Sequence, residues 1–132
     1  MKKKSDSKQV NSQAKRIAVI EEIADDIYSI KFVLQSIGYK VDSFSSRDSY
    51  QKALDEFSPH LIVVDMMIPN RGAYRSMREL GESRLKKVPI LAITAQAMEG
   101  DDQEVYQAGG RDILSKPYEV GDLREKLEKW LK

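Results

Sequence analysis

The chain has 132 residues, 41% of them hydrophobic and 33% charged, which suits one globular domain with a real core and excludes a disordered polypeptide. It has no cysteine, so disulfides and thiolate metal sites are excluded. No apolar run reaches the roughly 18 residues needed to cross a bilayer, and none follows the basic start as a secretion signal requires; a soluble, cytoplasmic protein is expected.

The net charge of +1 is unevenly distributed. Residues 1–16 carry six basic side chains against Asp6 alone, so the other 116 residues hold 16 basic and 20 acidic groups, net −4. The stretch MKKKSDSKQVNSQAK (1–15) is polar and has no apolar period; it reads as a disordered basic tail ahead of a single domain over 16–132. A solubilising leader is the simpler account of the tail, and contact with nucleic acid or anionic lipid is the alternative.

RIAVI (16–20) is a short apolar run that predicts a strand. Ile23, Ile27, Ile30, Leu34 and Ile37 then recur at helical spacing, and Gly38 stands where a helix C-cap belongs. KVDSF (40–44) alternates and reads as a half-exposed strand; Ser45 or Ser46 would cap a second helix burying Tyr50, Ala53, Leu54 and Phe57, with Pro59 as its stop. LIVVD (61–65) is a fully apolar strand closed by an acid. A weak helix over 73–80 turns Met77 and Leu80 inward, VPILAIT (88–94) is a buried strand, and 98–108 is helical up to Gly109-Gly110. DILS (112–115) is a short strand, and a last helix over about 119–131 puts Val120, Leu123, Leu127 and Trp130 on one side.

Five strands and five helices in strict alternation imply an α/β fold with a parallel sheet covered on both faces. Apolar strands belong in the centre and the alternating second strand at an edge. The flavodoxin-like doubly wound (βα)5 order 2-1-3-4-5 meets both conditions. Ligands of such sheets bind beyond the carboxyl ends of the strands, where the order reverses. Glu21-Glu22, Asp65, Thr94 and Lys116 all fall at that end. Clustered carboxylates favour a hard cation, and Mg²⁺ takes one or two carboxylates plus a phosphate oxygen. A lysine and a hydroxyl can hold phosphoryl oxygens, and a carboxylate placed among these groups can act as a nucleophile toward phosphorus.

These residues resemble the response-regulator receiver domain, the CheY-like phosphoacceptor module of two-component signalling. The resemblance covers about 16–131 and rests on VIEE, LIVVDMMIP, PILAITA and DILSKPY. It implies that Asp65 is the phosphoacceptor and that Glu22 and the Met67 carbonyl contact Mg²⁺ with it, Glu21 helping through water. It also implies that Thr94 turns toward the phosphoryl group, that Lys116 pairs with it, and that a cis-type proline follows the lysine. The partners it implies are a histidine kinase or histidine phosphotransfer protein and a downstream protein target met through the 98–131 face; neither membrane nor nucleic acid is an expected partner. The domain would not be an enzyme beyond self-phosphorylation and self-dephosphorylation. Because the chain ends with the fifth helix, a stand-alone receiver is expected.

Three departures from the family pattern stand out. The acidic pair is Glu-Glu, so the direct metal ligand at position 22 is about 1.5 Å longer than an aspartate, which predicts weak or shifted Mg²⁺ or a contact from the glutamate to Lys116. The turn after Asp65 is one residue short: Gly72 lies seven residues beyond the acid, and NRG replaces the family's acidic stretch. Ile113 occupies the slot of the family's switch aromatic. The Glu-Glu pair and Ile113 favour a competing expectation, a pseudo-receiver acting as a phosphorylation-independent interaction module, which intact Asp65, Thr94 and Lys116 oppose. A nucleotide-binding flavodoxin-like enzyme is the weakest of the three readings: no glycine-rich loop follows the first strand, where EEIADD would repel phosphate.

The remaining features have simpler readings. His60 is expected to be an exposed turn residue rather than a phosphotransfer group, and Met66, Met67 and Ile68 to be partly core. The basic residues between Arg71 and Lys87 are expected on a solvated helix face, EGDDQE (99–104) complements a helix N-terminus, and Gln96 and Met67 flank the path of an attacking water.

Overall fold

The computed structural model describes residues 14–22, 30–95 and 101–131. The basic tail, Ile23, Ile27 and Gln96 lie outside the described residues. Ten elements alternate: β1 (Arg16–Glu21), α1 (Ile30–Ser36), β2 (Lys40–Ser45), α2 (Gln51–Phe57), β3 (Leu61–Asp65), α3 (Gly72–Gly81), β4 (Ile90–Thr94), α4 (Asp101–Ala108), β5 (Asp112–Ser115) and α5 (Val120–Trp130). The strands form one sheet in the order β2-β1-β3-β4-β5, and every neighbouring pair is parallel.

The strand period of two divides the core between the two faces of the sheet. Ile17, Val19, Leu61, Val63, Leu91 and Ile93 face one way, onto Leu34 of α1 and Leu123 and Leu127 of α5. Ala18, Ile20, Ile62, Val64 and Ile90 face the other, onto Leu54 of α2 and Ala73, Met77 and Leu80 of α3. Truncating any one of the fully buried leucines to alanine removes about 2–5 kcal/mol. β2 does not alternate as expected: it buries Val41 on the α1/α5 face and, three residues on, Phe44 on the α2/α3 face, so this edge strand is partly covered on both sides. Gly38 has φ +105°, and the amides of Gly38 and Tyr39 return to the carbonyls of Gln35 and Leu34, so the cap expected at this glycine closes α1.

Three local expectations are corrected. α2 begins at Gln51, with Tyr50 as an N-cap whose side chain makes no capping bond and donates instead to Ser76 Oγ at 2.9 Å. The Ser45 hydroxyl is engaged elsewhere: it donates to the Glu22 carbonyl at 2.7 Å and accepts from the Arg47 amide at 3.1 Å. Ala53 is exposed, because the short helix buries only Leu54 fully. Val120 is also exposed, since it sits in the first turn of α5, where the chain has not yet closed onto the sheet; a reciprocal capping box between Glu119 and Asp122 sets that turn instead.

His60 is half-buried and structural. Its Nδ1 accepts the Arg16 amide at 2.9 Å while its own amide donates to the Arg16 carbonyl at 2.8 Å. Arg16 Nε in turn donates to the carbonyls of Phe57 and Ser58. This clasp ties β1 to the start of β3 at the amino end of the sheet, opposite Asp65.

Candidate functional site

Parallel strands bring all their carboxyl ends to one edge, and the register places the polar residues there one strand apart. Ile20 pairs with Val64, so Glu21 and Asp65 are the next residues on neighbouring strands. Asp65 pairs with Ile93, which puts Thr94 one residue further along β4, and Thr94 pairs with Ser115, the residue before Lys116. Neighbouring strands are about 4.8 Å apart. Backbone bonds carry the ladder past the strands: the Met66 amide donates to the Ile93 carbonyl and the Lys116 amide to the Thr94 carbonyl, both at 2.8 Å.

Asp65 is half-buried. Its Oδ1 accepts the Met67 amide at 2.9 Å, which orients the carboxylate and leaves Oδ2 as the oxygen not held by the turn. Met67 is 57% exposed, and Ile68 is buried behind it. The shortened turn closes through two left-handed residues, Asn70 (φ 59°) and Arg71 (φ 58°), onto Gly72. A Cβ at Gly72 would lie 2.5 Å from Ile68 Cγ2, so close approach of α3 to the turn requires the glycine. The Lys116–Pro117 peptide is cis. Lys116 is exposed at the rim.

The three acids do not gather equally. Glu21 is 6% exposed, with Oε2 closed off from solvent. Glu22 turns to Arg47, its Oε2 at 3.8 Å from Nε, rather than to Lys116. Among the described residues no group of three acids, histidines or cysteines is arranged to hold a metal. The donors that remain, the Asp65 carboxylate, the Met67 carbonyl and the buried Glu21, are all hard oxygens, and Mg²⁺ needs only one or two carboxylates. That donor set fits Mg²⁺; Glu22 joins it only by leaving Arg47.

Tyr118 lies in the same loop, two residues after Lys116, although no sequence argument singled it out. Burial, and then the Asp65 carboxylate, push its phenol above the ordinary value of 10.0. Its half-buried ring packs on the α1/α5 face of the core. The available signal was its place in the same loop as the lysine.

Residues 17–128 match the response regulator receiver domain. The chain belongs to this family. Receiver domains are signalling modules of two-component response regulators. The chain is 28% identical over 116 residues to the phosphate regulon transcriptional regulatory protein PhoB of Escherichia coli, a match covering 87% of this chain and 51% of PhoB. It is 31% identical over 97 residues to the response regulator Rre1 of Synechocystis, covering 72% of this chain and 42% of Rre1. The chain thus spans about half the length of the curated relatives it matches. Among solved structures it resembles the receiver domain of a Pseudomonas aeruginosa sensor histidine kinase, which carries magnesium coordinated in its active-site cleft. The two are 29% identical, with a TM-score of 0.74 and coverage of 89% of this chain and 98% of that one. The chemotaxis protein CheY4 of Vibrio cholerae, 21% identical, shares the fold, with a TM-score of 0.77 and coverage of 89% and 99%. No helix among the described residues is long and apolar enough to cross a membrane.

Proposed function

We propose that this domain accepts a phosphoryl group on Asp65 from a histidine kinase or histidine phosphotransfer protein and signals by phosphorylation-dependent protein binding. The observation that carries the reading is the alignment of Glu21, Asp65, Thr94 and Lys116 on successive strand ends, with Asp65 closing the central strand and one of its oxygens held by the Met67 amide. Oδ2 of Asp65 attacks phosphorus; the new O–P bond forms as the bond to the donor breaks, and the electron pair returns to the donor's imidazole nitrogen, or to acetate when acetyl phosphate is the donor. The Thr94 hydroxyl donates a hydrogen bond to one phosphoryl oxygen and the Lys116 ammonium pairs with another. Asp65, the Met67 carbonyl and Glu21 would hold Mg²⁺, which would supply positive charge to the crowded oxygens. The phosphorylated aspartate then carries roughly −1.5 to −2 charge, which biases α4 toward a second arrangement.

A competing reading, a pseudo-receiver that binds partners regardless of phosphate, draws on the Glu22–Arg47 ion pair, which occupies the side chain expected to contact metal. Intact mass after incubation with acetyl phosphate and Mg²⁺ separates the two. A gain of one phosphoryl group, lost in the nearly isosteric Asp65→Asn variant, is expected. No gain, or a gain that persists in Asp65→Asn, refutes the assignment.

A further inference from the structure

Arg71 ends the phosphoacceptor turn and caps α3, yet its side chain leaves that element. The guanidinium ion-pairs with Glu104 on α4 and lies over the Tyr74 ring, 4.4 Å from its centroid. These three side chains share with Thr94 and Ile113 the wall of a cavity of about 270 Å³. The cavity therefore touches the hydroxyl that meets the phosphoryl group, the position where the family's switch aromatic is replaced, and the helix that must respond.

We propose that Arg71 is the switch cation of this receiver: its pair with Glu104 holds α4 while Asp65 is unmodified, and the phosphoryl charge draws the guanidinium off Glu104 and releases the helix. The proposal rests on the reading of Asp65 as phosphoacceptor. Its grounds are the connection, the charge and the alternative. The turn that carries Arg71 is bonded directly to Asp65, through the Met67 amide to Oδ1 and the Ile68 amide to the carbonyl, so a change at the carboxylate is a change in the anchor of Arg71. A guanidinium fork matches phosphate oxygens better than it matches one carboxylate oxygen, and a phosphoryl group outbids Glu104 in charge. Both partners of the pair are largely exposed, 60% and 41%, so the tie is weak enough to be reversed by one modification. Ile113 has no hydroxyl to move between inside and outside, and the cavity beside Thr94 is bordered by the Tyr74 ring and by one cation, Arg71, facing two acids of α4, Asp102 and Glu104.

The test is amide hydrogen exchange of the peptide covering 101–108, read with intact mass, in the wild type, Glu104→Gln and Arg71→Ala, each with and without acetyl phosphate and Mg²⁺. Phosphorylation of the wild type should speed exchange in α4 by about 1.4- to 5-fold, the factor that loss of one exposed ion pair allows. Both variants should show that faster exchange before phosphorylation and no further change after it, and Glu104→Gln should gain phosphoryl mass as the wild type does. Wild-type protein that is labelled but leaves α4 exchange unchanged or slower overturns the role of Arg71 alone. Variants that exchange like unmodified wild type do the same. Wild-type protein that gains no mass overturns the phosphoacceptor reading and the switch with it.

Discussion

Glu22 gives the sharpest quantitative handle on the metal site, because its competitor is visible. Its carboxylate lies 3.8 Å from Arg47 Nε, with the two side chains 39% and 67% exposed. At that separation the attraction is about 1 kcal/mol in water and about 4 kcal/mol at an effective dielectric constant of 20. The exposure puts this pair near the water limit, and side-chain ordering lowers the net value to about 0.2–1 kcal/mol. Arg47→Ala frees Glu22 from that contact, so Mg²⁺ should bind tighter by about 1.4- to 5-fold. Titration calorimetry at low ionic strength measures it, and the gain should shrink with added salt as the Debye length falls from about 10 Å at 0.1 M. Removing a cation also strengthens cation binding through the general field. The double-mutant cycle with Glu22→Gln isolates the direct term: the Arg47→Ala gain should largely vanish in the Glu22→Gln background. Equal gains in both backgrounds, or no gain in either, refute the idea that Arg47 withholds Glu22 from the metal.

Gly72→Ala sets a small gain in helix propensity against a Cβ placed 2.5 Å from buried Ile68 Cγ2; the clash should dominate, costing about 1–3 kcal/mol in urea unfolding, and a variant as stable as the wild type would contradict it. Burial, and then Arg16 and Lys15, hold His60 below its ordinary 6.5. The unfolded chain therefore binds the extra proton first: the His60 contribution is complete above pH 6.5 and is lost as pH falls from there through the folded value. The wild type should lose more stability than His60→Asn between pH 7 and pH 5, and parallel losses would exclude the clasp. Burial pushes Asp112 up, but hydrogen bonds from Trp130 Nε1 and Lys126 Nζ, both at 2.9 Å, and from the Ile113 amide outweigh it and leave the carboxylate below its ordinary value. Its contribution is present above pH 3.8 and lost as pH falls through the folded value. Asp112→Ala should cost about 2–4 kcal/mol and shift Trp130 emission, because it strips the indole N–H of its acceptor; unchanged emission would refute the contact.

The sheet order was legible because parallel, doubly covered strands read as continuous apolar runs and the one alternating strand had to lie at an edge. The site was legible for the same reason: topology alone carries Asp65, Thr94 and Lys116 to one edge. Features that depend on side chains meeting across the fold were not legible. Ser45 has the sequence of a helix cap, yet its hydroxyl is taken by Glu22 and Arg47 from a turn that no local pattern encodes. Val120 keeps the helical period but falls before α5 meets the sheet. His60 gave no sign of its bond to Arg16, 44 residues away. Arg71 looked like one more charge on a solvated face, and its partner is 33 residues distant.

The two departures that read separately in the sequence, the short turn and Ile113, meet in one place. A left-handed arginine costs about 1–2 kcal/mol relative to the ordinary helical region, and such residues persist where the surroundings hold them in place, commonly near functional sites. Asn70 and Arg71 both lie in that region, and the guanidinium reaches Glu104 of α4 and the Tyr74 ring. Ile113 leaves the neighbouring volume without an aromatic ring from β5, and Tyr74 and Arg71 border it from α3. The short turn thus places a charged and an aromatic group beside the space that the isoleucine vacates, on the segment that carries Asp65. On the proposed reading of Asp65 and Arg71, the path from the acceptor to α4 runs along the chain, from Asp65 through its own turn to Arg71, instead of across the sheet to β5.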